Sequence, residues 1–88
     1  MKHNEKYVVD EFEDKVVLFD TEEETLITLN SSAMYMWKNC EGDEEQIVDR
    51  FLAVVDKSKM SEEDLIAARC ECIEIIRNMK EKKVLIDE

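Results

Sequence analysis

The chain has no proline, a single glycine (Gly42) and a single histidine (His3) among its 88 residues. Turns therefore have to be read from Asn, Asp and Glu clusters. One histidine, expected in a flexible N-terminal tail, argues against a His-dependent triad and a multi-histidine metal centre. No Gly-rich phosphate loop is present. No apolar run approaches the ~20 residues that a membrane-crossing helix needs. The opening Met1-Lys2-His3-Asn4-Glu5-Lys6 lacks the apolar stretch of a signal peptide. A cytoplasmic protein is expected, with its three cysteines reduced, since an odd number argues against a disulfide framework. With no repeat, linker or low-complexity stretch, residues 1–88 are expected to form one domain, with 1–5 as a flexible tail.

Basic side chains are also scarce. Lys and Arg number 12 against 23 Asp and Glu, a net charge of -11. That field repels phosphate backbones and argues against nucleic acid as a partner. It favours a partner segment of basic or mixed charge, held with an affinity that weakens as salt rises. Hydrophobic residues make up 44% and charged residues 40%, so a thin core under a heavily solvated skin is expected.

The first third reads as strands. Tyr7 to Phe12, Lys15 to Asp20 and Thr25 to Leu29 are β-branched or aromatic, and the polar Glu13-Asp14 and Thr21-Glu22-Glu23-Glu24 separate them. Short connections predict an antiparallel meander. In Thr25-Leu26-Ile27-Thr28-Leu29 the period of two places Ile27 and Leu29 inward, with Leu26 and Thr28 on the other face. The rest reads as helices. Asn30 is an N-cap for a first helix carrying Ala33, Met34, Met36 and Trp37, with Gly42 as its C-terminal cap. Asp43 and Gln46 form a capping box for a second helix, where Ile47, Val48, Phe51, Leu52 and Val55 recur at three and four. Ser61 caps a third helix that runs to Lys82, with Leu65, Ala68, Cys72, Ile75, Ile76 and Met79 as its buried stripe. Val84-Leu85-Ile86 is a short extended tail. The fold class is α+β: a three-stranded antiparallel N-terminal sheet followed by three helices.

Few residues could carry chemistry. Cys70 and Cys72 lie ~200° apart around a helix and cannot share a metal; Cys72 belongs in the core and Cys70 near the surface. Glu22-Glu23-Glu24, Glu41-Asp43-Glu44-Glu45 and Glu62-Glu63-Asp64 lack the Asp/Asn alternation and central Gly of a calcium loop. They read as solvated surface. Trp37 and Tyr35 could stack on a ligand, although Trp37 shares a face with Ala33 and fits core packing. No metal, no cofactor and no catalytic residue is expected, so the chain reads as a non-enzyme.

One longer pattern is more specific. Val16-Val17-Leu18-Phe19-Asp20, then Leu26-Ile27-Thr28-Leu29-Asn30, then Ala33 and Trp37, resembles the PqqD-like family. Glu71-Cys72, Ile75-Ile76, Met79 and Lys83-Val84-Leu85 continue the likeness to about residue 86. Glu71, Cys72 and Lys83 depart from the Asp, aliphatic and Gly usual there. The resemblance implies a winged-helix-like fold that recognises the leader of a ribosomally synthesised, post-translationally modified precursor peptide. It implies a peptide chaperone of natural-product biosynthesis, in which the leader adds as a strand to the third β-strand beside the third helix. The bound precursor would pass to a modifying enzyme, such as a radical SAM enzyme, or to a leader peptidase. On that reading Thr25, Leu26, Ile27, Thr28 and Leu29 supply the edge. Leu26 and Thr28 supply apolar anchors, Ala68, Glu71 and Ile75 form the helix flank, and Arg69 pairs with an acidic leader group.

Two other functions fit the same elements. A generic adaptor or regulatory module needs only an interaction surface. A winged-helix DNA-binding protein would read bases with the third helix, against which stands its acidic first turn, Glu62-Glu63-Asp64.

Overall fold

In the computed structural model, which describes residues 1–87, the β-branched segments form the expected meander; Glu88, the last residue of the expected domain, lies outside the described residues. The elements are β1 Lys2–His3, β2 Tyr7–Glu11, β3 Val16–Asp20, β4 Thr25–Leu29, α1 Ser31–Lys38, α2 Glu44–Val54, α3 Glu62–Glu81 and β5 Leu85–Ile86. β2, β3 and β4 pair antiparallel in that order. The alternation sets the faces: Val16, Leu18 and Leu29 are buried, Ile27 is half-buried, and Leu26 and Thr28 are exposed. Met36 of α1, Ile47 and Val48 of α2, and Ile76 of α3 close the core against that face.

The helix starts follow from their caps. Asn30 accepts from the Ala33 amide at 2.9 Å, and Asp43–Gln46 and Ser61–Asp64 are both complete capping boxes. Each satisfies amides that the first turn leaves without carbonyl partners. The end of α1 differs from expectation. It stops at Lys38, where the Asn39 backbone leaves the helical region at φ −114° and ψ 52° and its side-chain amide joins the backbone amide in donating to the Tyr35 carbonyl, at 2.9 and 3.0 Å. Gly42 stands beyond the helix at φ +87°, and a Cβ there would lie 2.1 Å from the Gln46 amide oxygen that completes the next capping box.

The expected tail at residues 1–5 is instead part of the fold. Lys2 and His3 pair with Ile86 and Leu85. Met1 is buried, and its ammonium donates to the Gly42 carbonyl at 2.6 Å. The His3 ring lies flat on Trp37, centroids 3.9 Å apart, and its Nε2 sits 2.5 Å from the Trp37 carbonyl. A carbonyl only accepts, so that nitrogen carries the proton. A two-residue strand has no periodicity to detect; its partners lie at the other end of the chain.

Asp20 is buried at the β3–β4 turn. It accepts from Lys6 Nζ at 3.0 Å and from the Glu22 and Glu23 amides at 3.0 and 3.4 Å. The Lys6 hydrogen bond holds its carboxyl below the ordinary aspartate value despite the opposing cost of burial. The same bond raises the Lys6 ammonium. Asp20 thereby fixes the 21–24 turn that leads into β4.

At the end of α3, the Lys83 amide donates to the Lys80 carbonyl at 3.0 Å and the Val84 amide to the Met79 carbonyl at 2.8 Å. These two bonds make a Schellman cap, which needs a left-handed residue between them. Lys83 takes that role at φ +59°. A Cβ in this region costs on the order of 1 kcal/mol. Lys83→Gly is therefore expected to stabilise the domain by about 1 kcal/mol. Urea denaturation would register it as a higher midpoint at unchanged slope; a midpoint at or below the parent's would contradict it.

Candidate functional site

The ladder of hydrogen bonds shows which groups the sheet leaves open. The Phe12 amide donates to the Lys15 carbonyl at 2.9 Å. Bonded and non-bonded pairs alternate along an antiparallel ladder. From the register, Val17 and Phe19 then turn their backbone groups to β2, while Val16, Leu18 and Asp20 turn theirs to β4. Their partners Leu29, Ile27 and Thr25 bond inward. The amides and carbonyls of Leu26 and Thr28 consequently face the free edge of β4.

A cleft of about 170 Å³ runs beside that edge, between β4 and the C-terminal half of α3. Its apolar walls are Ile27, Leu29, Ala33, Ile75, Met79 and Val84, and Asn78 and Lys82 stand at its rim. The depression continues in two directions. Past Ile27 it reaches Thr25, Leu26, Lys82 and Lys83. Past Ile75 and Asn78 it reaches Glu71 and Glu74. Sharing these residues, the three depressions form a row along α3 that β4 borders from Thr25 to Leu29, with Glu71 and Glu74 beyond it on α3 alone; β4 and α3 run antiparallel along this groove.

The structure brings Thr25 to Leu29 and Ile75 together on this groove, with Glu71 one helical turn beyond the cleft. It divides the strand's roles differently from the sequence reading. Ile27 and Leu29 point to the cleft as apolar anchors; Leu26 and Thr28 turn their side chains to the outer face and offer backbone groups instead. Ala68 is half-buried against the core. Arg69 lies on the opposite flank of α3, where it forms an ion pair with Asp49 of α2. Sequence reasoning missed Asn78 and Lys82. They follow Ile75 at three and seven residues, a spacing that places them on its face.

Cys72 is buried in the core, and that burial, helped by the Glu71 carboxylate, raises its thiol above the ordinary value. A neutral, inaccessible thiol behaves as a small hydrophobe. His3 is occupied with Trp37. No helix among the described residues is long and apolar enough to cross a membrane.

Residues 15–85 match the sequence model of coenzyme PQQ synthesis protein D, PqqD. Among solved structures, TbiB1 in complex with the TbiA(beta) leader peptide matches at a TM-score of 0.70 and 22% identity, covering 100% of this chain and 98% of that one. At that identity the likeness establishes the fold. No curated protein matches the chain in sequence.

Proposed function

Because the chain belongs to the PqqD family, matching it over residues 15–85, we propose that it is a non-catalytic domain that binds the leader of a modified precursor peptide. The leader adds to β4 as a fourth strand and sets one apolar side chain into the cleft against α3. The domain then delivers the precursor to a modifying enzyme, such as a radical SAM enzyme, or to a leader peptidase. The observation that carries this reading is the open edge of β4 lying directly beside an apolar cleft. The related fold of TbiB1, solved with a leader peptide, supports it.

The magnitudes explain why both parts are needed. Leu26 and Thr28 offer two amides and two carbonyls, and each bond nets about 0.5–1.5 kcal/mol. Ordering a disordered leader costs about 2–5 kcal/mol. The edge alone roughly cancels that cost. Burying one aliphatic side chain adds about 1.5–3 kcal/mol, and it sets the register that backbone bonds cannot. Strand addition with side-chain pockets is an established mode of peptide recognition.

Amide NMR titration with a leader peptide encoded beside the gene tests this. The largest shift changes are expected in Thr25–Leu29 and on α3 from Glu71 to Lys82, while Glu44–Val54 of α2 stays quiet. Shifts concentrated on α2 would overturn edge addition in favour of a generic adaptor surface.

A further inference from the structure

The groove is not electrically uniform along its length, and its polarity matches the spacing of an extended chain. Resting on the peptide-binding reading above, we infer that the bound segment runs antiparallel to β4 in the order cation, any residue, apolar anchor, any residue, anion. Its Lys or Arg faces Glu71 and Glu74, and its Asp or Glu faces Lys82 and Lys83.

The spacing follows from two repeats. Along α3, Lys82 follows Glu74 by eight residues and Glu71 by eleven, about 12 and 16.5 Å along the axis. Alternate residues of a strand point the same way about 6.7 Å apart. The residues two before and two after the anchor therefore stand about 13.4 Å apart, which spans the distance from the Glu71–Glu74 pair to Lys82, with Lys83 beside it. The cleft accepts one branched or aromatic side chain, since an apolar cavity of about 150 Å³ takes up benzene.

Other charges set the weights. Neither Glu71 nor Glu74 has an ion-pair partner among the described residues, and Arg77 on the same flank is held by Glu44 at 3.0 Å. Arg77 also lines that end, but Glu71, Glu74 and Glu81 outnumber it, so the acidic end stays net negative. Near the lysines stand Glu23 and Glu81, and Lys6 is engaged with Asp20. That end is nearly neutral overall, so the cation is the stronger determinant. Direction follows from the sheet. Each neighbouring pair in β2-β3-β4 is antiparallel, and antiparallel pairing is the slightly more stable kind per residue. Since the acidic end of the groove lies toward Asn30, an antiparallel guest presents its N-terminal side there.

Two fluorescein-labelled synthetic peptides of identical composition test the inference by fluorescence polarisation at low salt. One carries Lys-Thr-Leu-Thr-Asp at its centre and the other Asp-Thr-Leu-Thr-Lys, each flanked by Ser and Thr. The first is expected to bind about fivefold more tightly, as two exposed ion pairs replace two repulsions. Protein carrying Glu71→Lys, Glu74→Lys and Lys82→Glu, checked for folding by circular dichroism, is expected to invert the order. Equal binding of both peptides, weakened alike by Thr28→Pro, overturns the charge order and leaves edge addition standing. Tighter binding of the second peptide overturns it as well, as does a triple variant with unchanged preference. Binding of neither peptide, or binding indifferent to Thr28→Pro, overturns the peptide-groove reading and this inference with it.

Discussion

Thr28→Pro is expected to weaken leader binding at least tenfold while leaving the domain folded. The Thr28 amide faces the open edge of β4, so the sheet loses no bond when proline removes it. The guest strand loses one donor, and its carbonyl is left unpaired against the edge. An unmade bond of that kind costs about 1–3 kcal/mol, and 1.4 kcal/mol is a factor of ten in affinity. The proline ring also stands where the added strand must approach. Proline is tolerated on edge strands because its missing amide points outward there. Leu26→Pro shares this parity and should behave alike. Ile27→Pro provides the contrast. Ile27 bonds inward to Leu18, so proline there breaks the ladder and should unfold the sheet. Polarisation measurements with far-ultraviolet circular dichroism separate these outcomes. Wild-type affinity in folded Thr28→Pro protein would rule out strand addition at β4.

Deleting residues 2–5, which leaves an initiating methionine ahead of Lys6, should destabilise the domain by about 2–4 kcal/mol. Met1 leaves the core, and burial of such a side chain is worth about 1.5–3 kcal/mol. The His3–Trp37 stack contributes about 0.5–1.5 kcal/mol more. The β1–β5 pairing disappears, as do the bonds from the Asn4 backbone and side-chain amides to the Val84 and Lys83 carbonyls, at 3.3 and 2.9 Å. Releasing the segment returns about 1–2 kcal/mol per residue of backbone entropy, which keeps the net loss moderate. Against the roughly 4–13 kcal/mol available to a domain of this size, the loss is still large. Urea denaturation would show a lower midpoint, and Trp37 emission should shift to the red as its ring meets water. An unchanged midpoint would mean that the segment contributes nothing to the fold.

Local chemistry determined much of this protein from the sequence alone. The period of two in Thr25–Leu29 set which face of β4 is inward. Asn30, Asp43 and Ser61 set the helix starts, because a cap and its amide lie within three residues of each other. Cys72, Ile76 and Met79 were legible as core because one helix face repeats at three and four. The tertiary structure alone decided what depended on distant partners. It paired residues 2–3 with 85–86, which no short pattern foreshadows. It ended α1 at Asn39, whose two amides share the Tyr35 carbonyl. It sent Arg69 to Asp49 on α2, a choice between helix neighbours that spacing along one helix cannot make. The sequence could mark β4 and Ile75 as candidates for the groove. Only the packing of α3 against the sheet, antiparallel to β4, brought Ile75, Met79 and Lys82 alongside the open edge, because a cleft is the space two elements leave between them and belongs to neither.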